Sequence, residues 1–287
     1  MIVSGLANGG IYGLIALGLV LVYRGSRVLN FGLGEIGTFT LFVAWAFNEQ
    51  QSWPWWAGAS MALVAAVAIG LIFEGLVVRR MAGATRLAVA VSTVGLFLLL
   101  FSIELKVWGL SPRVLRAPIQ GLGPEVFGFN ISYTYMLAFA AVLGLGIALT
   151  VFLTRTDFGL GVLAASQDPV AVRLVGVRVA TVSAFTWGAS AFVSGLGAIL
   201  IEPAIGAFSP GFMSLLFVRG LAAALLGGLS SLSGAFIGGV GIGLIESIIG
   251  RVFIGNQFPG IQSIAVFFVI ILVLLFRPQG ILGKSPA

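Results

Sequence analysis

The sequence predicts an all-α integral membrane protein, a polytopic bundle of about eight to nine transmembrane helices. Of its 287 residues, 59% are hydrophobic and only 8% are charged, which leaves too little polar surface to cover a water-soluble globule. Nine long apolar runs alternate with short polar segments, and most approach the roughly 20 residues that an α-helix needs to cross a bilayer. Composition and run length therefore determine the class before any motif is considered.

The runs predicted to span the membrane share an apolar composition with few charges. They are residues 1–23, 33–47, 53–78, 87–103, 132–154, 179–201, 212–229, 234–250 and 260–276. The second run contains Glu35 and is short for a full crossing, so we expect a broken or tilted helix preceded by the irregular segment 30–32. Glu74 and Glu104 lie near span ends, where we expect them to reach headgroups or nearby basic residues.

The distribution of basic residues predicts the orientation of the chain. With the polar segment 155–178 on the cytoplasmic side, ten of the fifteen basic residues face inward, four face outward and Arg219 is embedded in a run. The N-terminus is then outside and the C-terminus inside, which requires an odd number of crossings. Nine spans are therefore favoured over eight spans with one re-entrant segment.

The segment 155–178 is a polar island between two long apolar runs, so it must lie outside the lipid. Asp168 can cap a helix and Pro169 suits the first helical position, where no amide donor is needed. Gly176 can end this helix after about two turns. A short helix on the cytoplasmic loop of a membrane protein indicates a docking surface for a partner.

Glycines recur at four-residue intervals, which makes flat helix faces where two backbones can approach closely. The spacing predicts tight helix packing, and it occurs at Gly5, Gly9 and Gly13, at Gly234 and Gly238, and at Gly239 and Gly243. The outer loop 105–131 is rich in proline and glycine, which favours turns over helix. This loop serves either as a landing surface for an external protein or as a connector that covers the bundle.

Several functional classes are excluded. The chain has no Cys and no His, which removes disulfides, the usual zinc sites and histidine proton relays. Residues 280–285 resemble the end of a P-loop, but the required first glycine falls at Pro278, and residues 159–164 match a dinucleotide fingerprint without a preceding strand. The basic residues are dispersed, which argues against nucleic-acid binding. We therefore expect a non-catalytic chain with no metal site and no bound cofactor.

Four segments together resemble the branched-chain amino acid permease subunits of ABC importers. Residues 9–35 (GGIYGLIALGLVLVYRGSRVLNFGLGE) are similar to the amino-terminal signature of that family, and residues 156–177 (TDFGLGVLAASQDPVAVRLVGV) to its cytoplasmic coupling segment. Residues 219–246, which contain GLAAALLGGLSSLSGAFIGG, and the tail FRPQGILGK at 276–284 complete the set. The resemblance covers nearly the whole chain in the expected order.

The resemblance implies a single transmembrane permease domain, residues 1–287, in a bacterial-type inner membrane. It implies a second permease subunit, two cytoplasmic ATPase subunits, an extracytoplasmic substrate-binding protein and the surrounding lipid as partners. The expected cargo is branched-chain or other hydrophobic amino acids. Urea, short amides or simple sugars are the alternative substrates, because a shared scaffold does not determine the cargo. A stand-alone secondary transporter is the alternative class.

Two groups of candidate residues follow. The residues expected to contact the ATPase combine apolar anchors with polar edges; they are Asp157, Gln167, Asp168, Val170, Arg173, Leu174 and Gly176. The residues expected to line the translocation path are sparse polar groups on the spans; they are Asn8, Tyr12, Asn30, Glu35, Thr93 and Arg219. A lone cation in a span is costly, so Arg219 either binds an anionic group in transit or pairs with Glu246 or Glu202.

Overall fold

A computed structural model describes residues 2–81, 83–119, 121–126, 129–174, 176–252, 260–277 and 279–283. In these ranges the chain is almost entirely helical. The helices are α1 (Ile2–Ser26), α2 (Leu33–Trp45), α3 (Trp55–Phe73), α4 (Arg86–Trp108), α5 (Tyr133–Arg155), α6 (Asp157–Gln167), α7 (Pro169–Leu174), α8 (Val179–Ile205), α9 (Phe212–Gly227), α10 (Leu232–Val252) and α11 (Ile261–Phe276). Two strands, β1 (Leu122–Val126) and β2 (Phe129–Ser132), form one hairpin.

Each of the nine apolar runs coincides with a helix, which confirms the polytopic all-α class. Among the described residues, six helices are long and apolar enough to cross a membrane, namely α1, α3, α4, α5, α8 and α10. The apolar helices α9 and α11 are shorter, at 16 residues each, and α2 has 13 residues before it continues into a π-helical turn, Ala46–Gln50. A similar π-helical turn, Glu74–Val78, extends α3.

Helices α1 and α8 form the centre of the bundle. Within their membrane-spanning segments, 78% and 72% of the residues are buried, against 28% for α3 and α4 and 17% for α5. A helix that is apolar on every side belongs in a protein interior or in lipid. The peripheral helices therefore present their outer faces to lipid, whereas α1 is enclosed by its neighbours α8, α9 and α10.

The predicted glycine faces pack α1 directly against α10. A Cβ atom added to Gly243 would collide with the backbone N and Cα of Gly9, and one added to Gly239 would collide with the same atoms of Gly13. Backbone atoms cannot rotate away as a side chain can. The close approach of these two helices thus depends on the absence of side chains at both faces, as the four-residue spacing predicted.

The second helix begins inside the bundle, as expected for a broken span. The amide of Phe31 donates to Oγ1 of Thr93 at 3.0 Å, and the amide of Gly32 donates to Oδ1 of Asn30 at 3.0 Å. Thr93 lies two turns into α4, so the turn that precedes α2 is held well away from the start of that helix. Asn30 and Thr93 are buried, and their side-chain oxygens satisfy backbone amides that have no helical partner at this point.

The outer loop is fastened to the bundle, and it contains a hairpin that the proline and glycine content had not predicted. Strand β1 pairs antiparallel with β2, and Arg113 forms an isolated bridge with Phe208, with both hydrogen bonds at 2.8 Å. The indole N–H of Trp55 donates to the carbonyl of Arg116 at 2.8 Å. The loop is therefore a fixed surface at this end of the bundle.

The chain after α11 returns to the junction between α9 and α10. The amide of Ile281 donates to the carbonyl of Leu226 at 2.8 Å, and that of Leu282 to the carbonyl of Gly227 at 3.1 Å. Gly228 and Gly280 have φ angles of +100° and +82°, and a Cβ at Gly280 would collide with the backbone of Gly228. These contacts place the ends of α9 and α11 on the same side, as the predicted orientation requires.

Candidate coupling surface and translocation path

The polar island consists of two helices, which corrects the expectation of a single short one. Helix α6 begins after Thr156, whose Oγ1 accepts a hydrogen bond from the amide of Gly159 at 3.0 Å. Helix α7 begins after Asp168, whose Oδ1 accepts from the amide of Ala171 at 3.0 Å, so the predicted cap is present. Gly176 follows with φ +87°, and the amide of Val177 donates to the carbonyl of Val172, which ends the helix.

Helix α6 was not predicted from the sequence because two glycines, Gly159 and Gly161, lie in its first turns. Each glycine disfavours a helix by roughly 1 kcal/mol relative to alanine. Burial offsets this cost: Val162 and Ala165 are 1% and 5% exposed. Gly159 itself packs against the backbone of Phe152 and Leu153, where a Cβ would collide. The sequence analysis predicted neither the Thr156 cap nor these contacts.

Most of the expected coupling residues are exposed at the protein surface. Asp157, Gln167, Asp168, Arg173 and Gly176 are all exposed, and Leu174 is 85% exposed. The side chain of Val170 lies outside the described part of the structure. Val172 is 6% exposed and anchors α7 to the bundle. Leu174 is therefore an exposed apolar side chain at the end of a capped helix, next to the charged Arg173.

Aromatic rings join the island to the membrane helices. Phe158 of α6 lies 6.2 Å from Phe152 of α5 and 5.2 Å from Phe185 of α8, measured between ring centroids. Phe152 and Phe185 lie 5.4 Å apart and complete the cluster. Helix α6 also packs against α1. Helix α6 is therefore in contact with α1, α5 and α8.

Arg219 pairs with Glu246 and not with Glu202. Its Nε atom lies 2.5 Å from Oε1 of Glu246, and the hydroxyl of Tyr12 donates to Oε2 of the same carboxylate at 2.7 Å. The guanidinium also lies 5.8 Å from the centre of the Tyr12 ring. The arginine side chain is 25% exposed and that of Glu246 is 10% exposed. Two of the expected path residues, Tyr12 and Arg219, thus meet in one cluster where α1, α9 and α10 join.

Glu35 holds the start of α9. Its Oε1 accepts from the amide of Gly211 at 3.1 Å, and its Oε2 accepts from the hydroxyl of Ser214 at 3.3 Å. One turn along α2, Oγ1 of Thr38 accepts from the amide of Met213 at 3.1 Å. A helix start carries free amides and a partial positive charge, which a carboxylate stabilises. Helix α2 therefore caps α9, the helix that carries Arg219.

The other expected path residues occupy different places. Asn30 and Thr93, like Glu35, are fully buried and hold the chain around α2, whereas Asn8 is half-buried on α1. The structure brings Tyr12 and Arg219 together but does not join them to Thr93 or Asn30 by any hydrogen bond among the described residues. The path assignment of these side chains stays a prediction.

The sequence analysis did not predict that two carboxyl groups, those of Glu104 and Glu202, are buried inside the bundle. Glu104 is 0% exposed, so it does not reach the headgroups, and neither of its carboxyl oxygens has a hydrogen-bond partner among the described residues. Glu202 is also 0% exposed, and its Oε1 accepts from the amide of Leu115 at 3.1 Å, which ties the outer loop to α8. Glu74, in contrast, forms the expected ion pair with Arg79 at 2.8 Å. Glu104 and Glu202 directly follow the apolar runs 87–103 and 179–201, and this position was the signal available in the sequence.

We expect Glu104→Gln to leave the stability of the bundle nearly unchanged and Glu104→Ala to lower it by about 2–3 kcal/mol. An unpaired carboxylate is costly to bury, so the site should tolerate a neutral amide of the same shape. Glutamine keeps that shape without a charge, whereas alanine leaves a cavity. Unfolding of both variants in matched detergent checks this expectation, and equal destabilisation by glutamine and alanine would contradict it.

The comparisons with known proteins agree with this architecture. The sequence model of the family described as branched-chain amino acid transport system / permease component matches residues 1–276. The chain is 31% identical over 299 aligned positions to the high-affinity branched-chain amino acid transport system permease protein BraD of Pseudomonas aeruginosa, covering 99% of this chain and 95% of BraD. No solved structure matches the chain.

Two further relatives extend the comparison. The permease protein LivH of Escherichia coli strain K12 is 30% identical, over 98% of this chain and 94% of its own length. The probable permease protein LivH of Methanocaldococcus jannaschii is 27% identical, over 94% of this chain and 88% of its own length. Together with the six spanning helices, these relatives identify a multi-pass protein of the inner membrane. The chain belongs to the family of branched-chain amino acid transport permeases.

Proposed function

We propose that this chain forms the translocation path of an ABC importer for branched-chain or other hydrophobic amino acids, and that separate subunits hydrolyse the ATP. The observation that carries the proposal is the capped helix α7, which presents the exposed Leu174 beside Arg173 on the expected cytoplasmic face. An apolar anchor with charged edges is the arrangement that docks a helix into a groove. A carrier working alone has less need of such a helix.

The proposed cargo rests on the relatives, whose names specify branched-chain amino acid transport. Urea, short amides and simple sugars have no comparable support. The proposed path lies near the cluster of Tyr12, Glu246 and Arg219, with Asn8 four residues before Tyr12 on α1. Asn30, Glu35 and Thr93 serve that path indirectly, because they position α2 and the start of α9.

The proposed assembly contains a second, homologous or identical permease, two cytoplasmic ATPase subunits and an extracytoplasmic substrate-binding protein. Residues 1–287 act in it as one permease domain without a cofactor of their own. The outer loop suits the binding protein because β1, β2 and the Arg113 bridge give it a fixed shape. The aromatic cluster around Phe158 suits the ATPases, because it connects α6 to two membrane helices, α5 and α8.

Purification from the native membrane in mild detergent, followed by reconstitution with the co-purifying subunits, tests the proposal. We expect leucine, isoleucine or valine to accumulate in vesicles only when ATP, ATPase subunits and binding protein are all present. Accumulation of an amino acid by this chain alone, without nucleotide hydrolysis, would refute the proposed function.

We expect Asp168→Ala to lower ATP-driven transport, because loss of a helix cap costs about 1 kcal/mol and α7 has only six residues. Asp168→Ser is the matched control, since serine retains a capping oxygen but removes the charge. If transport recovers in the serine variant, Asp168 acts as a helix cap. If transport stays low in that variant, Asp168 makes a charged contact with the ATPase. Full transport in both variants would contradict a coupling role for Asp168.

We expect Leu174→Asp to abolish association with the ATPase subunits without reducing the stability of the bundle. The side chain is 85% exposed, so the substitution disturbs no internal packing, but it places a charge in the proposed apolar groove. Co-purification of the subunits and thermal unfolding are measured on the same sample. Undiminished association would show that Leu174 is not an anchor.

A further inference from the structure

An apolar cleft of about 520 Å³ lies between α3, α5 and α8. None of its lining residues belongs to the coupling helices or to the Arg219 cluster, although Phe152 and Phe185 of the lining also contact Phe158 of α6. All of its lining side chains are apolar, and they include Val67 and Leu71 from α3, Leu149 and Phe152 from α5, and Ala184 and Gly188 from α8. A cavity with this lining is suited to hydrocarbon and not to water or an amino acid backbone.

The cleft faces the lipid. Only 17% of the membrane-spanning segment of α5 and 28% of that of α3 is buried in the bundle. Ala148, which also lines the cleft, is exposed. Because α5 packs loosely at the edge of the bundle, the space between it and α8 opens toward the surrounding acyl chains.

Three exposed arginines mark one end of the cleft. Arg155 lies three residues beyond Phe152, about 4.5 Å along the helix, and Arg178 lies six residues before Ala184, about 9 Å along α8. Arg80 follows the end of α3 and its π-helical turn. Each helix that lines the cleft thus carries a basic residue at its expected cytoplasmic end. Basic residues at the cytoplasmic ends of membrane helices attract the headgroups of anionic lipids.

We propose that the cleft binds one acyl chain of an anionic phospholipid from the cytoplasmic leaflet, and that Arg80, Arg155 and Arg178 bind its headgroup phosphate. The basic residue at the expected cytoplasmic end of each lining helix favours a lipid with an anionic headgroup over an apolar helix of another subunit as the occupant. A flexible acyl chain is thin enough to enter along its length.

The absence of cysteine from the sequence permits a direct test. The Ala148→Cys variant of the full chain is labelled with the fluorophore bimane and reconstituted in nanodiscs. The nanodiscs contain a small fraction of either phosphatidylglycerol or phosphatidylcholine with brominated acyl chains. Bromine quenches a nearby fluorophore, so quenching reports the chain that occupies the cleft. Ile271→Cys on α11 is the control, because that side chain is apolar and 50% exposed but lies outside the cleft.

We expect brominated phosphatidylglycerol to quench the label at position 148 more strongly than phosphatidylcholine at equal mole fraction, and both lipids to quench position 271 equally. Arg155→Gln is expected to reduce the preference for phosphatidylglycerol about fivefold, the effect of one basic residue at a membrane surface. Equal quenching by both lipids at position 148 overturns the proposal. An absence of quenching at that position also overturns it, because it indicates that protein and not lipid occupies the cleft. If Ala148→Cys does not fold, Ala189→Cys probes the same lining.

Discussion

Gly243→Ala is expected to destabilise the bundle by about 3 kcal/mol or more, and Gly243→Leu to prevent folding. The added Cβ of residue 243 would collide with backbone atoms of Gly9, which move only if the whole of α1 moves. Overpacking of a protein interior commonly costs about 1–3 kcal/mol, and contact with rigid backbone lies at the upper end. Because α1 is the central helix, its displacement would also disturb α8 and α9.

Gly241→Ala is the matched control for this prediction. Gly241 lies on the same helix, but an added Cβ would meet only Cδ2 of Leu226, at an ordinary contact distance of 3.8 Å. Alanine is favoured over glycine in helices by about 1 kcal/mol, so this variant is expected to be unchanged or more stable. Free energies of unfolding in detergent or bicelles compare the two. Equal stability of the two alanine variants would disprove the close packing of α1 on α10.

Removal of either partner of the Arg219–Glu246 pair is expected to cause the second large loss of bundle stability. Arg219→Met leaves the carboxylate of Glu246 buried without its cation. Breaking a fully buried pair costs about 3–5 kcal/mol; because the side chain of Arg219 is 25% exposed, we expect a loss of about 2–3 kcal/mol. The hydrogen bond from Tyr12 remains and stabilises part of the charge.

A double-mutant cycle separates the two roles considered for Arg219. Arg219→Met combined with Glu246→Met removes both charges, so the double variant is expected to regain most of the stability lost by either single variant. If Arg219 only pairs with Glu246, transport is restored together with stability. If Arg219 also stabilises an anionic group in transit, the double variant is stable but inactive. Additive losses of stability in the double variant would rule out the pair itself.

The sequence predicted the helices well because the length and apolarity of a span are properties of a continuous segment. All nine runs coincide with helices, and the caps that depend on neighbouring residues are also present. Asp168 caps α7, and Gly176 adopts the left-handed conformation that ends it. The glycine spacing on α1 and α10 predicted their close contact, because a four-residue period places each glycine on the same helix face.

The sequence failed where weak local signals are outweighed by packing. Helix α6 contains glycines that disfavour it in isolation, yet Phe158, Val162 and Ala165 pack against the membrane helices. The β1–β2 hairpin and the return of the tail to Gly227 were missed for a related reason. Their hydrogen bonds depend on strands or helix ends whose positions only the folded chain specifies.

By itself the sequence determined the membrane class, the helical runs, the polar island and the absence of cysteine and histidine chemistry, since composition and short-range spacing decide these properties. Only the tertiary structure decided which buried charges meet. Tyr12 and Glu246 are 234 residues apart, and Glu35 reaches Gly211 across 176 residues. A buried acid must find a donor, but its position in the chain does not indicate which one. The choice of Glu246 over Glu202 for Arg219 therefore follows from how α1, α9 and α10 pack.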